Sequence, residues 1–140
     1  MAATLAAQPA ESWEELFALA DRLTPADLQT PWGGGQRRES GAIQVPYPVY
    51  SDTVSAITDL LYRLNVLVVF DWPSWYHQDR YPGGRGLADA PVAQAARLAT
   101  SIIRGERFCD GAIAGALRDG TMQAILHRLR RWYAEERPTG

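Results

Sequence analysis

Between Asp71 and Arg85 the chain reads Asp71-Trp72-Pro73-Ser74-Trp75-Tyr76-His77-Gln78-Asp79-Arg80-Tyr81-Pro82-Gly83-Gly84-Arg85, with four aromatic rings, one histidine and two arginines in fifteen residues. Guanidinium forks match carboxylate and phosphate oxygens, and aromatic rings supply apolar contact, the usual mixture of a recognition surface. A long connection that persists in a folded domain is often functional. The residues expected to bind are therefore Trp72, Trp75, Tyr76, His77, Arg80, Tyr81 and Arg85, toward a small anionic ligand or a partner protein, a second copy of the chain included. The structural alternative is that Trp72 and Trp75 only pin an irregular loop to the core, leaving His77, Asp79 and Arg80 in solvent.

A catalytic reading of the same segment makes Asp71, His77 and Asp79 the acid and base groups of a small hydrolase or transferase. It requires at least two of them within hydrogen-bond reach in one cleft. Their spacing matches no signature, so no catalytic residue is assigned. Gly83-Gly84-Arg85-Gly86 has the wrong spacing for a phosphate loop or a dinucleotide fingerprint, and Asp89 would place a carboxylate where the anion belongs. Cys109 and His127 form a conceivable nucleophile–base pair, but a lone cysteine beside an apolar stripe is usually a small core residue. Two histidines and one cysteine give no zinc spacing, and neither a metal nor a cofactor is implied.

The elements that must position these residues follow from apolar periodicity. Ser12 and Glu15 suggest a capping box ahead of Trp13, Leu16, Phe17, Ala20 and Leu23. Thr24-Pro25 starts a short turn, and Ser51 caps a helix with a Val54, Ile57, Leu60, Leu61, Leu64 stripe that stops at Asn65. Residues 43–49 and 66–70 are predicted to pair as a small two-stranded element, although Pro46 and Pro48 confine the first to an edge. Asp89 is predicted to cap a helix carrying Val92, Ala95, Ala96, Ala99, Ile102 and Ile103. Arg104-Gly105 and Asp119-Gly120 then break the pattern. Phe108, Ala112, Ile113, Ala116 and Leu117 make the next stripe, with Gly111 and Gly115 expected to admit a close helix neighbour. Thr121 is expected to cap a last helix lined by Met122, Ile125, Leu126, Leu129, Trp132 and Tyr133. The fold predicted is mainly α (α+β), a compact bundle of about five helices: a disordered tail over residues 1–10 and one globular domain over 11–137.

Glycine-turn-helix at Gly120-Thr121 followed by Arg128, Arg130 and Arg131 invites a nucleic-acid reading, with Arg118 nearby. The first residues of that helix, Thr121, Gln123 and Ala124, offer little to read bases with, and the net charge is −2. The charge is uneven: residues 1–96 hold six arginines against eleven acids, and residues 97–140 hold eight against five. That basic third falls short of a nucleic-acid patch, which leaves weak phosphate contact as the most this reading supports. All fourteen basic residues are arginine, which with the abundance of alanine suggests a bacterial coding bias. One cysteine allows no internal disulfide. No signal peptide is visible, and the longest apolar run, Val66–Phe70, is far short of a membrane span; a cytoplasmic location is expected.

Phe70-Asp71-Trp72, Tyr81-Pro82-Gly83-Gly84, Arg107-Phe108-Cys109-Asp110-Gly111 and Ile125-Leu126 with Arg128-Leu129 together resemble a family of small bacterial proteins catalogued as a domain of unknown function. The resemblance runs from about Trp13 to Tyr133 and implies a stand-alone protein without naming a substrate. The reading that follows is a non-enzymatic binding or interaction module.

Overall fold

Two helices begin where their capping residues demand. Ser51 Oγ accepts from Val54 N at 3.2 Å, and Thr24 and Asp27 form a reciprocal capping box around Pro25. The computed structural model of the chain describes residues 2–33, 47–75, 80–108 and 110–138. Its helices are α1 (Ala2–Ala6), α2 (Ala10–Asp21), α3 (Pro25–Leu28), α4 (Asp52–Arg63), α5 (Val92–Gly105), α6 (Ala112–Asp119) and α7 (Thr121–Arg131). Single 3₁₀ turns occupy Trp72–Ser74, Pro82–Gly84 and Leu87–Asp89, and α7 runs on into a wider π turn over Trp132–Glu136. The protein is mainly α, as predicted.

The expected two-stranded element is not formed. Residues 43–46 lie outside the described residues, and Tyr47–Pro48 makes only a two-residue antiparallel pairing with Trp32–Gly33. Val66–Phe70 is irregular because its backbone is drawn to a helix instead: Val68 N donates to Thr100 Oγ1 on α5 at 2.9 Å. Val66 is buried there, whereas Val69 turns outward.

The start of the chain also differs from the tail expected over residues 1–10. Leu5 on α1 is fully buried, and its carbonyl accepts from Trp13 Nε1 at 3.3 Å. An apolar residue that burrows under a tryptophan offsets the ordering cost that frays most termini. With α1 folded back, α2 starts at Ala10 after Pro9, and Ser12 lies inside the helix rather than capping it.

α7 is the centre of the assembly. Met122, Ile125, Leu126, Leu129 and Trp132 are buried on its inner side, against α2, α5 and α6 and the turns at Pro82–Gly84 and Leu87–Asp89. Trp13 meets Trp132 with ring centroids 5.3 Å apart, and Phe17 meets Tyr133 edge-on at 5.6 Å. α4 contributes Val54, Ile57, Leu60 and Leu61 and ends at Asn65, whose φ of 57° is the left-handed stop expected of it.

Two further expectations about helix ends, and one about helix packing, are corrected. Asp89 closes a 3₁₀ turn and does not cap α5; Pro91 takes that place with φ −57° and ψ 147° and holds Ala90 extended before it. Thr121 is the first residue of α7, not its cap. Asp119 Oδ1 accepts from both Thr121 N at 3.0 Å and Thr121 Oγ1 at 2.7 Å, while Gly120 turns the corner at φ 91°. Gly115 does not serve a close helix contact, since a Cβ there would meet nothing within 4 Å.

Candidate functional site

Thr100 fixes the candidate surface. By tying Val68 to the middle of α5, it lays the segment from Val68 to Trp75 along that helix, with Arg97 one turn before and Arg104 one turn after. Phe70 then lies under the Arg97 guanidinium, 5.8 Å from it, and meets Trp75 edge-on at 5.8 Å. Arg80 covers the other aromatic of that pair, 5.3 Å from the Trp75 ring. The order Arg80, Trp75, Phe70, Arg97 is thus a ladder of two rings with a cation at each end, each cation contact worth about 0.5–1 kcal/mol where exposed.

Beside the ladder, Val68, Val69, Phe70, Trp72 and Arg104 line a shallow cleft. Phe108 was expected in the α6 stripe, but α6 starts only at Ala112, because Gly111 must first adopt φ 97°. Phe108 therefore lies before the helix, 81% exposed, and its ring meets Trp72 at a tilt, centroids 5.8 Å apart. Val69 is 99% exposed. Two large apolar side chains displayed next to a half-buried tryptophan form a patch that water does not favour.

Several predicted site residues fall in with this surface and others do not. Trp72 and Arg80 belong to it; Trp75 is buried beneath it. Tyr81 is half-buried and packs on the core; Arg85 is exposed, and no described contact brings it to the surface. Tyr76, His77 and Asp79 lie outside the described residues, as does Cys109 of the conceived Cys109–His127 pair. Of the acid/base set only Asp71 is described, and it is exposed. Among the described residues no group of three or more His, Cys, Asp or Glu side chains could hold a metal ion. Sequence reasoning overlooked Phe108, Arg97, Arg104 and Val69 as surface residues. The sevenfold spacing of the two arginines was the one available signal.

The glycines of the loop have a packing role. Gly84 is buried with φ +82°, and a Cβ on it would stand 2.4 Å from the Ala124 Cβ on α7. Pro82–Gly84 therefore seats directly on the last helix, and no phosphate cradle is left.

The C-terminal arginines are engaged within the fold. Arg128, one of the arginines of the nucleic-acid reading, is 4% exposed; its Nε donates to Ala90 O at 2.8 Å, and its Nη1 stands 2.7 Å from Glu136 Oε2. Arg130 grips both carboxylate oxygens of Asp21 at 2.8 Å and covers Phe17; its hydrogen bonds hold the Asp21 carboxyl below the usual range. Arg131 bonds Glu135 and the Ala88 carbonyl. These contacts leave little of the arginine set free for phosphates.

Two other places carry polar groups. Glu106 accepts from Gly111 N and Ile113 N, each at 2.8 Å, capping α6 from outside the helix. Tyr50 Oη donates to the same carboxylate at 2.6 Å while accepting from Ala114 N at 3.1 Å. Burial, and then Glu106, push the Tyr50 hydroxyl well above its ordinary pKa. Every oxygen of this network is occupied, which marks it as structural. A more enclosed apolar cleft lies between α2 and α7, floored by Phe17, Leu23 and Leu126, with exposed His127 at its rim. Its charged pair, Asp21 and Arg130, is already self-satisfied.

No helix of the described residues is long and apolar enough to cross a membrane. Residues 8–135 match the Family of unknown function (DUF6508), and the chain belongs to it. Comparison with curated proteins and with solved structures yields no match.

Proposed function

We propose that this protein is a non-catalytic binding module whose working surface is the aromatic–arginine face built from Val69, Phe70, Trp72, Phe108, Arg97 and Arg104. The observation that carries the reading is the exposure of Val69 and Phe108 beside Trp72, at a cleft with Arg104 in its wall. Leaving such side chains in water forgoes roughly 1.5–3 kcal/mol apiece compared with burial, and a partner that covers them recovers part of it. Arg80 extends the same face through its stack on Trp75. Of the acid/base set that a hydrolase or transferase would use, only Asp71 lies among the described residues, and it is exposed.

Photo-cross-linking from position 108 tests the reading. A photoreactive phenylalanine analogue placed at 108 should capture a molecule from cell extract that the same analogue at Tyr62, exposed on α4, does not. Equal capture from both positions, or none from 108, would remove the assignment.

A further inference from the structure

We infer that the partner this face accepts is an acidic peptide segment with an apolar anchor: carboxylates for Arg97 and Arg104, and a leucine, phenylalanine or tryptophan for the Val69–Trp72–Phe108 patch. The inference rests on the proposed binding surface and adds the chemistry of its occupant. Arg97 and Arg104 are seven residues apart on α5, two helical turns and so about 10 Å along the axis. Thr100, midway between them, holds the patch-bearing segment in place. Among the described residues no carboxylate lies within ion-pair distance of either guanidinium, in contrast to Arg128, Arg130 and Arg131 on α7. The two arginines that flank the apolar patch thus have no carboxylate partner among the described residues, while Arg128, Arg130 and Arg131 do.

Carboxylate is the anion that fits. A guanidinium fork takes a carboxylate in two parallel bonds, and pairing at the edge of a covered apolar patch is stronger than pairing in open water. A nucleic-acid backbone is disfavoured at this place. Tight phosphate binding draws on many cations at once, whereas two arginines flank this patch. A peptide supplies both halves of the match, since side chains a turn apart on a helix, or alternate ones on a strand, can present carboxylates around an apolar anchor.

The experiment pans a random peptide library displayed on phage against the full-length protein. The enriched peptides are then synthesised and their affinities measured for four proteins: native, Arg97→Ala/Arg104→Ala, Val69→Ser/Phe108→Ser and Arg118→Ala. The expected result is enrichment of sequences that join two or more Asp or Glu to an aromatic or leucine anchor. Their affinity should fall about tenfold or more in each double variant and steepen with lowered salt. Arg118→Ala, on α6, should bind as the native protein does. Neutral or basic peptides that lose binding only in Val69→Ser/Phe108→Ser would overturn the acidic partner while sparing the surface. Acidic peptides indifferent to both double variants, or no enrichment at all, would overturn the inference outright, and cross-linking from 108 would then judge the surface by itself. A concentration-dependent dimer in sedimentation that Phe108→Ser abolishes would assign the face to a second copy instead.

Discussion

Gly84 and Ala124 meet across the boundary between the loop and the last helix so closely that a Cβ on Gly84 would stand 2.4 Å from the Ala124 Cβ. Backbone at φ +82° adds a second penalty for any L side chain there. Gly84→Ala should therefore lose about 2–4 kcal/mol of stability in urea unfolding. Adding Ala124→Gly should return only the part due to the clash, because the positive φ persists. Gly115→Ala is the contrast: its Cβ meets nothing within 4 Å on a helical backbone, so it should gain up to about 1 kcal/mol.

Arg128 is a buried charge, with Ala90 O and Glu136 as partners. Arg128→Ala should destabilise by about 1–3 kcal/mol, since Ala90 O loses its donor while Glu136 still reaches water. Arg131→Ala, on exposed contacts, should change stability by less than about 1 kcal/mol. Hydrogen bonds from Arg128 hold the Glu136 carboxyl below its ordinary value of 4.5. A depressed acid stabilises the fold above its unfolded pKa and loses that contribution as pH falls through the folded one. The gap between native and Arg128→Ala should thus narrow as the pH is lowered below about 4.5.

Tyr50 and Glu106 share one hydrogen bond and jointly satisfy the start of α6. Tyr50→Phe should cost about 1–3 kcal/mol by leaving Ala114 N without its acceptor. A double-mutant cycle with Glu106→Gln should give a coupling of about 0.5–2 kcal/mol. The sign with pH follows from the raised hydroxyl: the unfolded tyrosine ionises near 10, the folded one higher. Stability should then decline as pH rises above about 10 in the native protein and less in Tyr50→Phe.

Leu5→Ala should lower stability by about 2–4 kcal/mol, the cost typical of a fully buried leucine. A tail that contributed nothing would leave the melting temperature unchanged, so calorimetry on this variant decides whether α1 belongs to the core.

Phe108→Ser and Val69→Ser should leave unfolding within about 0.5 kcal/mol of native, since surface changes away from caps and cores do little. Their effect should appear in binding alone. A large loss of stability would mean that the Trp72–Phe108 contact serves packing.

The helical framework was legible where one periodicity ran uninterrupted. The α4 stripe, the Ser51 and Thr24 caps and the Asn65 stop all occur where spacing and residue type placed them. Phe108 was misread because its apolar character was taken as periodic with Ala112, although Gly111 resets the chain between them. Arg128 enters the nucleic-acid reading by its charge, but its position decides otherwise: it lies three residues from Ile125 and four from Trp132, both buried, which puts it on the inner side of α7. The pairing of residues 43–49 with 66–70 failed for a nonlocal reason. Thr100, distant in sequence, offers Val68 the hydrogen bond that a strand would have supplied. Of the candidate surface, the aromatic half was visible as a dense local segment. The arginine half came from α5, and only tertiary contact reveals that Arg97 covers Phe70.

The Arg97–Phe70 stack sets the entropy with which this face works. A long flexible side chain ordinarily gives up rotamer freedom when it is fixed by a ligand, a loss of about 0.5–1.5 kcal/mol for each one immobilised. Set over a ring 5.8 Å away, Arg97 is already partly confined while the residue stays exposed. A guanidinium prepared in this way asks little further ordering of the chain when an anion arrives, so affinity at this face would be governed more by fit than by induced rearrangement.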